Sequence, residues 1–450
     1  MRVAVADLLF CWPPHGGADV DLFHVADGLC RAGHDLHLFG LHIPGSWERG
    51  AFHPETLPFP ATRIDIPRSA FKAEYVAHRI AEAVDAWRPE AVLLADGFFL
   101  KPYLVQALAH YPLVSRYYAH EALCHRDILR FKNGQPCPKD YFATPEDCRH
   151  CALAHLGPDI ARGRPSAWIE EYLAARAYAP DYYGKARESL RQIRAAVVSN
   201  GTIKQSLAPY CPEVFCIPGG VDTALFSFTP CEAKNDRDCK TILMSGRGED
   251  PAKGLAVLLD AGERLRAHRS DFEIWVTVPE DTPLPSWARP LGWRDQAALA
   301  ESYRHADICV VPSVWDEPFG LIALEAMASG RPVCASRVGG LQDIVADGET
   351  GHLFPRGDSA VLASHLDRLL DNPAERTRLG TAGRRRAETE YAWDTIIQRH
   401  YLPLLDFLRT SRTSPKRPVR SASIGKKRLA FVDLIFSWPP NGGADVELFQ

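Results

Sequence analysis

The chain has 450 residues, of which 46% are hydrophobic and 24% charged, with a formal net charge of −4. That is enough material for two sizeable cores, and it lacks the global basicity that a nucleic-acid partner would require. No run of eighteen apolar residues occurs, which excludes a spanning helix of ordinary composition. The opening "MRVAVADLLFCWPP" could imitate a signal peptide, but it alternates like a strand, runs into Trp12-Pro13-Pro14 and has no A-x-A-like cleavage site. Twelve cysteines without such a signal point to a reducing, cytoplasmic setting.

Residues 2–9 read as a strand, Gly16-Gly17 as a turn, and Leu22, Val25, Ala26, Leu29 and Cys30 as the buried face of a helix that ends at Gly33. "HDLHLF" resumes as strand, and short apolar runs follow at 91–96, 112–118, 195–199 and 213–217. The pattern restarts with a strand at 241–246, helix at 253–268, strand at 272–278, helix at 296–306, strand at 307–313 and helix at 318–329. Such alternation predicts an α/β protein of two doubly wound, Rossmann-like parallel-sheet domains facing across a cleft. The units are 1–218 and 219–408, joined near "PGGVD", with a last helix over about 392–408 crossing back onto the first.

The segment 313–340, "SVWDEPFGLIALEAMASGRPVCASRVGG", carries the chemistry. Pro318 suits the first turn of a helix and Gly330 its end. The amides of Phe319, Gly320 and Leu321 would then be free at the positive end of the helix dipole, a site for phosphate. Glu325, seven residues beyond Pro318, would lie roughly 10 Å down the same face, with Glu317 just ahead of the helix. Two carboxylates beside an anion site suit neutral hydroxyls, which a nucleotide-sugar offers on either side of its diphosphate.

"EPFGLIALEAMASGRPVCAS" resembles the E-x7-E signature of family-4, group 1 type glycosyltransferases with the GT-B fold. "GRGEDPAKGLAVLLDA" (246–261), "IPGGVDTALF" (217–226), "RVGGLQDIVADGETGHLF" (337–354) and the opening "GGADVDLFHVADGLCRAGHDLHLF" are similar in the same order. The resemblance implies a retaining glycosyltransferase moving a sugar from a UDP- or GDP-sugar to a saccharide or lipid-linked acceptor in polysaccharide or glycoconjugate synthesis. It implies Arg247 and Lys253 on the donor diphosphate, Glu325 on the ribose, Glu317 on the transferred sugar and His120 facing the reacting sugar. Gly16 and Gly17 would let backbone approach the sugar-phosphate from across the cleft. No cofactor is implied for catalysis, and the D-x-D look-alike Asp19-Val20-Asp21 falls inside the first helix. Where the family often has Asn-Gly before Val-Asp, this chain has Gly219-Gly220, expected to keep a positive-φ turn. An epimerase or phosphorylase of the same fold would lack this motif combination, and a non-catalytic sugar-nucleotide scaffold would not need the four charged residues intact.

Between 120 and 155 the chain carries Cys124, Cys137, Cys148 and Cys151. The last two form a chelating C-x2-C, so a structural four-thiolate zinc is feasible beside unligated thiols or disulfide chemistry. Beyond 408, residues 409–428 hold eight Lys or Arg and no acid. They read as a flexible linker, with contact to anionic lipid at the inner face of a membrane as the alternative. Residues 429–450 then repeat the opening, "LIFSWPPNGGADVELF" against "LLFCWPPHGGADVDLF". The expectation is the truncated start of a second glycosyltransferase copy in a tandem parent polypeptide.

Overall fold

The computed structural model describes residues 1–45, 49–164, 166–228 and 239–410. Residues 411–428 of the basic stretch and the whole repeat at 429–450 lie outside the described residues. The first lobe contains β1 (Arg2–Asp7), β2 (Asp35–His42), β3 (Ala61–Asp65), β4 (Ala91–Leu94), β5 (Leu113–Arg116), a hairpin of β6 (Phe131–Lys132) and β7 (Gln135–Pro136), then β8 (Ala195–Val198) and β9 (Val214–Cys216). Apart from the hairpin these strands form one sheet in the order β3-β2-β1-β4-β5-β8-β9, with every pair parallel. The second lobe contains β10 (Lys240–Met244), β11 (Phe272–Val276), β12 (Ala288–Pro290), β13 (Ile308–Val311), β14 (Val333–Ser336) and β15 (Gly351–Phe354). They run parallel in the order β12-β11-β10-β13-β14-β15.

Helices cover both faces of each sheet, so central strands are buried on both sides and read as continuous apolar runs such as "AVLL", "AAVV" and "ICVV". This is also why β1 departs from the expected alternation: residues 3–7 are all buried, Asp7 included. The strand order reverses beside β1 and β4 in one lobe and beside β10 and β13 in the other. Loops leaving the carboxyl ends of those strands splay apart there, and a crevice opens at each reversal.

The last helical segments, Trp393–Ile396, Ile397–Tyr401 and Leu402–Thr410, return to the first lobe. Ile396, Tyr401, Leu404 and Leu408 share one apolar cluster with Val3, Val5, Val25 and Leu29, each such buried side chain contributing about 1.5–3 kcal/mol. Trp393 stacks on His24 at 4.9 Å between ring centres, and Arg31 pairs with Asp394 at 2.8 Å.

Two expectations are corrected. The helix expected to open at Pro318 runs Leu321–Ala328, because Gly320, at φ 109°, takes the cap position and leaves Glu317, Pro318 and Phe319 in the loop ahead of it. Gly219 and Gly220 do not have positive φ. They are required by close packing instead, since a Cβ would lie 2.8 Å from the Phe319 ring and 2.6 Å from Trp393 respectively. Among the described residues no helix is long and apolar enough to cross a membrane.

Candidate active site

In the second lobe the loop after β10 carries Gly246-Arg247 and the loop after β13 carries Ser313 to Glu317, so topology alone sets them side by side. Lys253 reaches across: its Nζ lies 2.7 Å from Glu317 Oε1, while Ser313 Oγ donates to Glu317 Oε2 at 2.9 Å. Lys253 also lies over the Trp315 ring at 5.1 Å. The turn before Lys253 is capped by Asp250, which accepts from the Ala252 amide, and it ends at Gly254 with φ 81°. A Cβ on Gly254 would overlap the Pro312 carbonyl oxygen, so only glycine brings this loop against β13. Arg247 is exposed and makes no side-chain hydrogen bond or ion pair to the described residues.

The helix Leu321–Ala328 begins beside this group. Its first backbone bonds run from Ala323 and Leu324 to Gly320, which leaves the Leu321 and Ile322 amides without helical partners. The amides left free thus begin two residues later than the predicted Phe319, Gly320 and Leu321 set, with Leu321 common to both. Glu325 is deep in this helix and 4% exposed. Its Oε2 accepts from Tyr303 Oη at 3.0 Å, and Tyr303 Oη lies 2.7 Å from Ser245 Oγ. Burial without a cation pushes the Glu325 carboxyl up to about 7. Glu325 also lines a narrow cavity with Val20, His24, Gln296 and Leu321. Glu317 and Glu325 are therefore not a flanking pair on one face. Both are buried, but Glu317 is ion-paired to Lys253 ahead of the helix and Glu325 lies beneath the helix start.

The first lobe meets this group through three loops. Gly17 opens the helix Gly17–Arg31, and a Cβ on it would lie 3.8 Å from Leu321 Cδ2. The Gly16-Gly17 loop is held by acids. Asp7 accepts from the amides of Leu9 (2.7 Å), Phe10 (2.6 Å) and Asp96 (2.8 Å). Asp19 accepts from those of Cys11 (2.9 Å), His15 (2.9 Å) and Gly16 (3.1 Å). Burial raises Asp19 and Asp7 to about 6, and burial followed by the charge of Asp7 raises Asp96 well above the ordinary carboxylate range. Asp21 pairs with the buried Arg116 at 2.9 Å. Both acids of the D-x-D look-alike are thus consumed within the first lobe.

His120 follows β5 and is 4% exposed. It faces the second lobe, with a hydrogen bond to the Asp316 backbone, one residue from Glu317. Burial and then Arg130 hold its imidazole below the ordinary histidine range, and its Nδ1 has no partner among the described residues. Glu121 beside it is occupied by the Tyr118 and Ala119 amides, at 2.8 Å each. The third loop escaped the sequence reading. Ser199 Oγ and Asn200 Nδ2, just beyond β8, donate to the Pro318 carbonyl oxygen at 2.7 and 2.6 Å, tying the Glu317 loop to the first lobe. The Ser-Asn-Gly following an apolar strand was the available signal, and Asn200 also caps the helix Gly201–Leu207.

Residues 239–372 match the protein family described as "Glycosyl transferases group 1". Over 188 residues the chain is 37% identical to a phosphatidyl-myo-inositol mannosyltransferase of Mycobacterium leprae, covering 40% of this chain and 50% of that protein. Over 247 residues it is 30% identical to a glycogen synthase of Mycobacterium tuberculosis, covering 52% and 58%. The chain spans about half the length of the curated relatives it matches. Among solved structures, sucrose-phosphate synthase from Thermosynechococcus elongatus superposes with a TM-score of 0.61 at 20% identity, over 91% of this chain and 100% of that one. Anabaena HepE in complex with UDP superposes at 0.63 and 18% identity, over 90% and 100%. The fold is GT-B, two Rossmann-like lobes facing across a cleft.

Proposed function

We propose, from the premise that residues 239–372 form a domain of the group 1 glycosyl transferases, that this chain transfers a sugar with retention from a nucleotide-diphosphate-sugar to a saccharide or lipid-linked acceptor. The observation that carries the reading is the Lys253–Glu317 pair of 2.7 Å at the strand-order reversal, beside the unpartnered Arg247 and the start of the helix Leu321–Ala328. Arg247, Lys253 and the Leu321 and Ile322 amides would hold the diphosphate. There they stabilise the charge that grows on it as the bond to the sugar breaks. Glu317, released from Lys253 by the diphosphate, would accept from the hydroxyls of the transferred sugar. Glu325 would take the ribose hydroxyls. Gly16-Gly17 would close over the sugar-phosphate, and His120 would donate to, or accept from, the reacting sugar.

In this reading the bond from the anomeric carbon to the diphosphate oxygen breaks and the acceptor oxygen bonds to the same face. The acceptor proton passes to the departing diphosphate. The first-lobe acids Asp7, Asp19 and Glu121 are each occupied by backbone amides, which favours the diphosphate as the proton acceptor. The basic 409–428 would let the enzyme touch anionic lipid, which suits a lipid-linked acceptor. The test is a panel of UDP- and GDP-sugars without acceptor, mannose and glucose donors first because relatives bear mannosyltransferase and glycogen synthase names. Free sugar and nucleoside diphosphate are followed by mass. Slow hydrolysis of one donor, lost in Glu317→Ala, is expected; no hydrolysis and no binding across the panel overturns the reading.

A further inference from the structure

A cavity of about 180 Å³ lies outside the cleft chemistry, in the segment between β5 and β8. Cys124, Cys137, Cys148 and Cys151 all line it, and none is in a disulfide. They come from three places: the turn after His120, the residue leaving the β6–β7 hairpin, and two positions one turn apart on the helix Pro145–Ala161. We propose that these four thiolates bind one structural zinc ion, and that this metal positions the His120 turn.

Three observations carry the proposal. The first is the ligand set: a C-x2-C on the first turns of a helix plus two thiols from a preceding turn and hairpin can surround a tetrahedral ion. The second is charge. Four thiolates on a divalent ion leave a net charge of about −2, and the same cavity is walled by Arg126, Arg130, Lys132 and Lys139 against the single acid Asp147. Lys132 Nζ already lies 3.5 Å from Cys151 Sγ. Cations so placed would screen a zinc–thiolate centre. The third is the poverty of the local core. The helix Pro145–Ala161 has 17 residues but buries only Ala152 and Leu156, and β6 and β7 have two residues each. Leu123, Tyr141 and Phe142 beside them are anchored in the first-lobe core, so it is the helix and the hairpin that a metal cross-link would hold together.

As placed, no group of three or more His, Cys, Asp or Glu among the described residues could hold an ion. Binding therefore requires thiol rotamer changes and a closing of the short hairpin onto the helix. The link to the site is direct: the Leu123 and Cys124 amides both donate to the His120 carbonyl oxygen at 2.9 Å. A ligand bond at Cys124 would hold that turn from below and leave the His120 ring to the cleft.

The experiment is elemental analysis of the full chain purified without chelator and without a metal-binding tag, alongside a Cys148→Ser/Cys151→Ser variant and a Cys216→Ser control, Cys216 being exposed at the end of β9. About one equivalent of zinc in the parent and control, and less than about a tenth in the double variant, is expected. Because the double variant could fail to fold, the parent is also exchanged with cobalt, whose spectrum should show tetrahedral four-thiolate coordination. Zinc below about a tenth of an equivalent in the parent, a cobalt spectrum without sulfur ligation, or a mass showing these thiols as disulfides overturns the proposal. None of these readouts needs a sugar donor, so the metal and the sugar-transfer reading fail separately.

Discussion

The two lobes share a winding, but the acids that border the cleft are held differently in each. In the first lobe Asp7 and Asp19 each accept three backbone amides and Glu121 accepts two, so these carboxylates brace loops. In the second lobe Glu317 is held by Lys253 and Ser313, and Glu325 by Tyr303 alone. A backbone amide cannot leave its acid without refolding the loop, whereas a lysine or hydroxyl can turn away when a ligand arrives. An acid at the end of a strand is therefore a candidate for binding only when its partners are side chains that can be displaced.

The largest expected effect follows from Glu317. Glu317→Gln should lower kcat by about 10²–10³-fold, the scale of losing one charged group at a developing charge, with little change in melting temperature because no backbone amide depends on it. Asp7→Ala should do the reverse. It strands amides in a buried loop at about 1–3 kcal/mol each, so thermal unfolding should move down by several degrees before activity is considered. If Glu317→Gln destabilises as much as Asp7→Ala, the distinction between bracing and binding acids is wrong.

Glu325 sharpens the same contrast through pH. Its carboxyl is raised from 4.5 to about 7 by burial, so the native state holds this proton more tightly than the unfolded chain does. That contribution is complete below about pH 4.5 and is lost as pH rises towards 7, amounting to about 2 kcal/mol between pH 5 and pH 8. Glu325→Gln cannot ionise, so denaturant unfolding at those two pH values should show a shallower loss in the variant than in the parent. Equal slopes would mean that Glu325 is already ionised near pH 5, and that something other than Tyr303 compensates it.

The second lobe was the more legible of the two. Arg247, Lys253, Glu317 and Glu325 sit in contiguous motifs, and the short βα connections put motif neighbours close in space. What sequence could not show is that Gly320 rather than Pro318 sets the helix start, since both residues suit a helix boundary and only the backbone geometry decides between them. The first lobe hid more. Asp7, Asp96 and Asp19 come together only because β1 and β4 are neighbours in the sheet, a pairing of residues 89 apart. The strands β3 and β12 went unread because "ATRID" and "ARP" hold no continuous apolar run, unlike the equally short "AVLL" and "AAVV", and β14 and β15 went unread as well.

The smallest expected effect tests the seam between the lobes. Ser199 and Asn200 converge on one carbonyl oxygen, that of Pro318, immediately after Glu317. Asn200 has a second task as a helix cap, so Asn200→Ala would mix two losses of about 1 kcal/mol each. Ser199→Ala removes a single donor while the Asn200 bond keeps the carbonyl satisfied, which leaves stability nearly unchanged. The hydrogen bond lost spans the cleft, so its free energy should appear where the cleft is closed. A fall in kcat/KM of about fivefold, matching roughly 1 kcal/mol, is expected. An unchanged kcat/KM would mean that the lobes separate at this seam during turnover, and that the Glu317 loop is then held by the second lobe alone.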